Sequence, residues 1–183
     1  WGGELIQGKL LEAVAGGINP RTIAREIARE LGGKAHQARI LTICRTELLR
    51  NYRAASAEKY TEFGHLIRAV RWKASLSPRT CLACLARDGQ EWPVDQAPTD
   101  FHVNDRCTLL PIVHGSTVKL PETGREWLER QPEAIQRQML GAAFDDFQQG
   151  KVGLDDFVGT TRNRDWGSSI RQRSVRDVTR SAA

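Results

Sequence analysis

Apolar residues recur at helical spacing through the first third of the chain. Leu5, Ile6, Leu10, Leu11 and Val14 mark one face over residues 4 to 16, and Gly16-Gly17 ends that pattern. Asn19-Pro20 is a start signal, with asparagine as the cap and proline at the first helical position. Ile23, Ile27, Ala28 and Leu31 then form a stripe that stops at Gly32-Gly33. A longer helix is predicted from Ala35 to Phe63, with Ile40, Leu41, Cys44, Leu48, Tyr52, Ala55 and Tyr60 on one face and Gly64 at its end.

The period changes after Gly64. In His65 to Ser75, Leu66, Arg68, Val70 and Trp72 alternate with Ile67, Ala69 and Arg71, which predicts a strand. Gln90 to Val94 and Thr108 to Val113 are two further short strands, and Asp88-Gly89 is a turn. Helix returns at Thr123, where Glu126 three residues on completes a capping box ahead of Trp127, Leu128, Ile135, Met139 and Leu140. Pro132 divides that stretch and Gly141 ends it. Ala142 to Gln149 reads as one more short helix closed by Gly150, and Leu154 to Val158 as an apolar patch that packs back.

These elements predict an α+β fold with N-terminal helices, a small central antiparallel sheet, C-terminal helices and a basic tail. The expected division is a single domain over 1–159 (helical 1–64, sheet and Cys/His loop 65–118, helical 119–159), followed by a tail over 160–183. The absence of repeats and low-complexity linkers supports one unit. At 183 residues the chain has room for one ordinary domain or two small ones. Its 40% apolar and 27% charged residues suit a soluble globular protein. No apolar run approaches the roughly 20 residues that cross a bilayer, so no membrane partner is expected. The chain opens on Trp1, which is expected of a fragment, a processed product or the ordered part of a longer protein.

The net charge is +5 and unevenly spread. Beyond Thr160, Arg162, Arg164, Arg171, Arg173, Arg176 and Arg180 stand against only Asp165 and Asp177. That excess favours polyanions, and these arginines are the candidate nucleic-acid contacts, with a solvated basic terminus as the plainer reading. Arginine far outnumbers lysine, which suits forked contacts to phosphate.

Four residues carry the candidate chemistry. Cys81-Leu-Ala-Cys84 can bring two sulfurs of one tight turn to the same ion, and His102 and Cys107, separated from it by seventeen residues, form a second arm. Pro78 and Asn104-Asp105 place both pairs in turns, giving a loop like a zinc knuckle. Cys44 falls in a helical stripe and reads as a small buried side chain. Three remaining cysteines leave one over if they pair as disulfides, so metal binding in a reducing compartment is the simpler reading. The alternative is three buried thiols beside an ordinary surface histidine. Two pairs of good ligands point to a closed structural zinc ion and not to a catalytic one. No metalloprotease helix motif, nucleophile elbow or phosphate-cradling loop occurs, and Asp145-Asp146 and Asp155-Asp156 read as solvated helix surface, so no enzyme activity is expected. Cys107 runs into the apolar stretch Thr108-Leu-Leu-Pro-Ile-Val113 instead of a reading helix, which argues against sequence-specific DNA recognition.

Taken in order, Arg45-Thr46-Glu47, Asn51, Tyr60, Gly64, Trp72, Arg79-Thr80-Cys81-Leu-Ala-Cys84, Asp88-Gly89 and His102-Val-Asn104-Asp-Arg106-Cys107-Thr108-Leu-Leu-Pro111 resemble the phage head-morphogenesis domain. This is the family typified by the minor head protein F of phage Mu. The resemblance spans residues 35 to 113, and the later block Trp127-Leu-Glu-Arg-Gln131-Pro132 with Gln136, Leu140-Gly141 and Gly150 is similar to a segment found downstream in such proteins. Many members have a cysteine where this chain has Asp105, which leaves Cys107 as the fourth ligand candidate. The resemblance implies a minor head (minor capsid) protein of the virion, inside the capsid or near the portal, and in the host cytoplasm during assembly. Its implied partners are the portal protein, other capsid proteins and the double-stranded DNA genome, and its implied roles are head assembly, genome packaging or DNA delivery. Arg45 and Glu47 are expected to form a structural ion pair or hydrogen-bonding pair under the sheet. The alternatives are a toxin or effector enzyme fragment of the same family, and a zinc-stabilised DNA-binding module.

Overall fold

The computed structural model describes residues 2–32, 37–119, 121–163 and 167–182. Trp1, the expected helix start at Ala35, and Arg164 and Asp165 lie outside the described residues. The fold is mixed helix and sheet, as the periodicities predict, and it divides into two units: residues 1–62 with 103–106, and residues 63–102 with 107–183.

The first unit is built on helices α1 (Gly2–Gly16), α2 (Pro20–Glu30) and α3 (Gln37–Glu62). Gly17 at φ +62° ends α1, a conformation that costs glycine least. Asn19 caps α2 by accepting from the Arg21 amide at 2.9 Å, with Pro20 at the start of the helix. Ala13, Ile23, Ala24, Ile27, Ala28, Ile40 and Cys44 form the buried core. Burial also raises the Cys44 thiol above its ordinary pKa.

The predicted stripe on α3 does not run its full length. Tyr52 is 59% exposed, and the buried residues of the helix are Ile40, Cys44, Thr46 and Arg53. Arg53 is buried because its Nη2 meets Asp105 Oδ2 at 2.6 Å, both side chains being nearly inaccessible. Around that pair the loop of residues 103–106 is fastened to α3. Asn104 donates its amide to the Thr46 hydroxyl at 3.0 Å, and Arg45 donates to the Asn104 side-chain oxygen. Arg45 therefore binds Asn104. Two positions apart on a helix, Arg45 and Glu47 are turned about 200° from one another and cannot pair.

The second unit holds a three-stranded antiparallel sheet in the order β2 (Glu91–Trp92), β1 (Ile67–Lys73), β3 (Thr108–Val113). Trp72 pairs with Leu109 and Val70 with Trp92 and Pro111. The expected alternation in β1 gives way to four consecutive buried residues, Ala69 to Trp72, because chain packs on both faces there. Arg71 is accommodated by donating to the Pro121 carbonyl at 3.1 Å.

Helix α4 (Leu82–Arg87) lies between β1 and β2 in sequence, where a turn was expected. Its residues Leu82 to Leu85 are all buried, so no amphipathic pattern announces it. Helices α5 (Gly124–Glu129), α6 (Glu133–Leu140) and α7 (Phe144–Gln148) follow. The Thr123–Glu126 capping box forms as predicted, and Pro132 separates α5 from α6. Leu82, Leu85, Trp127, Leu128, Leu140, Ala143, Phe144, Leu154 and Phe157 share one core. Gly124 is packed so closely on α4 that a Cβ there would lie 2.4 Å from the Leu85 carbonyl oxygen.

The arginine-bearing C-terminal segment, expected as a tail, carries regular structure. Strands β4 (Val158–Asn163) and β5 (Gly167–Gln172) pair antiparallel, and helix α8 (Val175–Ala182) follows. Ile170 and Val178 are fully buried and hold these elements to the unit. Ile170 is a single apolar residue among polar ones, too sparse to reveal a strand, whereas Val175 and Val178 share the core-facing side of α8.

Candidate metal centre

The candidate ligands converge at the start of α4. Cys81 is the N-cap of that helix, and its sulfur accepts from the Cys84 amide at 3.3 Å. One helical turn on, Cys84 projects from the same end. His102 Nε2 lies 3.3 Å from the Cys81 sulfur and 3.1 Å from the Cys84 sulfur. The three ligand atoms all lie within 4.8 Å of one another.

Cys107 is 2% exposed and hydrogen-bonds the Cys84 thiol, but it does not join the three atoms grouped within 4.8 Å. The Asp105 carboxylate binds Arg53. This position therefore serves the ion pair on α3.

Neighbouring residues that sequence reasoning did not single out hold the His102 arm in place. Phe101 stacks on buried Trp72 with ring centroids 4.1 Å apart. Arg87, at the end of α4, covers Trp72 at 5.3 Å and grips Asp100 through two hydrogen bonds of 2.7 and 2.8 Å. Ile170 donates its amide to the Asp100 carbonyl at 2.7 Å. Gln172 accepts from the Leu82 amide at 2.8 Å, satisfying a donor at the start of α4. Trp72, a tryptophan in a strand between Arg71 and Lys73, was the visible signal of this arrangement.

The electrostatics fit a cation. The Cys84 thiol and then the His102 imidazole hold the Cys81 thiol down to about 5, against an ordinary 9.0 and against the effect of burial. Hydrogen bonds to Cys107 and Cys81, followed by burial, push the Cys84 thiol up instead. The cluster thus accommodates one negative charge and resists a second, a balance that a dication reverses by deprotonating every thiol it binds. Tetrahedral zinc with bonds of about 2.3 Å to sulfur and 2.0 Å to nitrogen would set sulfur and nitrogen about 3.5 Å apart. The observed separations of 3.1 and 3.3 Å need only a slight expansion. Cys81, Cys84 and His102 can therefore hold a metal ion.

The predicted nucleic-acid contacts are spread over several surfaces. Arg162 on β4 pairs with Ser168 and Arg171 on β5 with Gly159, which puts their side chains on opposite faces of the hairpin. Arg173 is engaged with the Asp156 carbonyl at 3.1 Å and the Ser181 hydroxyl at 3.2 Å. Arg176 and Arg180 are exposed one turn apart on α8. No helix among the described residues is long and apolar enough to cross a membrane.

Residues 4–110 match the family described as Phage Mu protein F like protein. No curated protein and no solved structure gives a significant match. The matched segment covers more than half of the chain and contains all four candidate ligands. Its members are head-related and generally structural. This chain belongs to the phage Mu protein F-like family.

Proposed function

We propose that this chain is a minor head protein of the virion, situated inside the capsid near the portal and acting in head assembly, genome packaging or DNA delivery without catalysis. The family match over residues 4–110 carries the reading. In it, zinc bound by Cys81, Cys84, His102 and Cys107 staples α4, the loop ending at His102 and the start of β3. Zinc would supply a fixed tetrahedral junction between these segments, contributing on the order of 10 kcal/mol to folding. The exposed arginines of β4, β5 and α8 contact the backbone of the double-stranded genome, and other capsid proteins cover further surface.

Location tests this directly. A phage carrying an epitope-tagged copy should yield purified heads that retain the chain in a few copies each, cross-linked to the portal protein. Absence from heads, or an even distribution over the shell, overturns the proposal.

A further inference from the structure

Helix α2 separates its charges by face. Ile23, Ala24, Ile27 and Ala28 are buried in the core of the first unit. Glu26 and Glu30 reach toward α1, where Lys9 Nζ lies 4.0 and 3.5 Å from their carboxylates. Arg21, Arg25 and Arg29 are left exposed at four-residue intervals, and none has an ion-pair partner among the described residues. Four residues advance about 6 Å and turn only 40° beyond a full circle, so the three guanidinium groups follow a nearly straight stripe about 12 Å long.

Two local features give this stripe more definition than a solvated face. The Arg25 Nε donates to the Arg21 carbonyl at 3.2 Å, which fixes the root of that guanidinium. Arg21 and Arg25, with Gln37 and Leu41 from α3, also line a cleft of about 290 Å3.

We infer that the Arg21–Arg25–Arg29 face of α2 is a binding site for the phosphate backbone of duplex DNA, separate from the C-terminal arginines. A 12 Å stripe spans roughly three or four phosphates of one strand at 3.4 Å each along the helix axis. Arginine offers each a forked, permanently charged donor. A lipid surface fits less well, because every large apolar residue of α2 is buried and none is left to enter a membrane. Contact with genomic DNA in the head rests on the proposed location, but the binding itself does not.

The test is the salt dependence of binding to a random-sequence duplex, read by fluorescence anisotropy on the full zinc-loaded chain. Arg21→Gln, Arg25→Gln and Arg29→Gln together should reduce the slope of log K against log salt by about 2.7, which is about 40-fold less weakening between 50 and 200 mM salt. A charge-matched control, Lys59→Gln with Arg125→Gln and Arg130→Gln, alters cations already paired with acids and should leave the slope unchanged. An unaltered slope in the α2 variant overturns the inference, as does an equal fall in the control. So does retained DNA binding with lost binding to polyglutamate, which assigns the face to an acidic protein. A slope lost only on replacing Arg171, Arg176 and Arg180 rejects the α2 site while supporting the C-terminal contacts; the reverse pattern supports the α2 site and rejects those contacts.

Discussion

Replacing Asp105 by alanine strands a guanidinium in the interior of the helical unit. Arg53 and Asp105 approach to 2.6 Å with side chains only 6% and 1% exposed. At an effective dielectric of about 20 their gross attraction is roughly 6 kcal/mol, most of which offsets the cost of removing both charges from water. Removing one partner forfeits the attraction but keeps the other group's desolvation cost, so Asp105→Ala should lose about 4 kcal/mol. Arg53→Met should lose a similar amount, while the double variant Arg53→Met/Asp105→Leu should lose less than either single change. Urea unfolding followed by far-ultraviolet circular dichroism, with zinc saturating, measures this through the helices. At a slope of about 2 kcal/mol per molar urea, the single variants should shift the midpoint by about 2 M. A shift below about 0.5 M, or strictly additive losses, would refute the claim that the two charges depend on each other.

Other expectations follow from the same packing. Gly124→Ala should destabilise the second unit by about 3 kcal/mol or more, because the new methyl meets the Leu85 backbone and no flexible side chain can yield; a normal melting temperature would count against the packing described. Arg87→Ala removes the grip on Asp100 and the cover on Trp72, and should weaken zinc affinity about tenfold in a chelator competition without abolishing binding. Glu126 is held below its ordinary 4.5 by hydrogen bonds from the Thr123 backbone and side chain. Its depressed folded value means that the cap stabilises fully above the unfolded pKa and is lost as pH falls through the folded one. The melting difference between the protein and Glu126→Ala should therefore be constant near neutrality and shrink in acid. Cys84→Ser should lower the melting temperature in zinc and remove the response to chelator, since a structural ion contributes directly to folding.

The helical first third was legible because its punctuation is chemical: Asn19 caps, Pro20 starts and Gly17 stops a helix whatever packs around it. The Cys81, Cys84 and His102 cluster was legible for a similar reason, since ligand spacing is a local constraint. What escaped was decided by distant partners. Helix α4 hides because Leu82 to Leu85 are buried on every side, so the run has no polar face. Arg53 reads as exposed until Asp105, fifty-two positions away, is brought beside it. The β4–β5 hairpin is anchored by Ile170 among serines, threonines and arginines, and no alternation marks it. The place of Cys107 relative to the other three ligands is set by the register of β3 against β1, which spacing alone does not encode.

The proposed zinc staple joins Cys81, Cys84, His102 and Cys107. Zinc K-edge X-ray absorption on the purified chain, combined with metal analysis, tests it most directly. One zinc per chain is expected, with three sulfurs at about 2.3 Å and one nitrogen at about 2.0 Å. A chain that folds without zinc, or an ion surrounded only by oxygen and nitrogen, would contradict it.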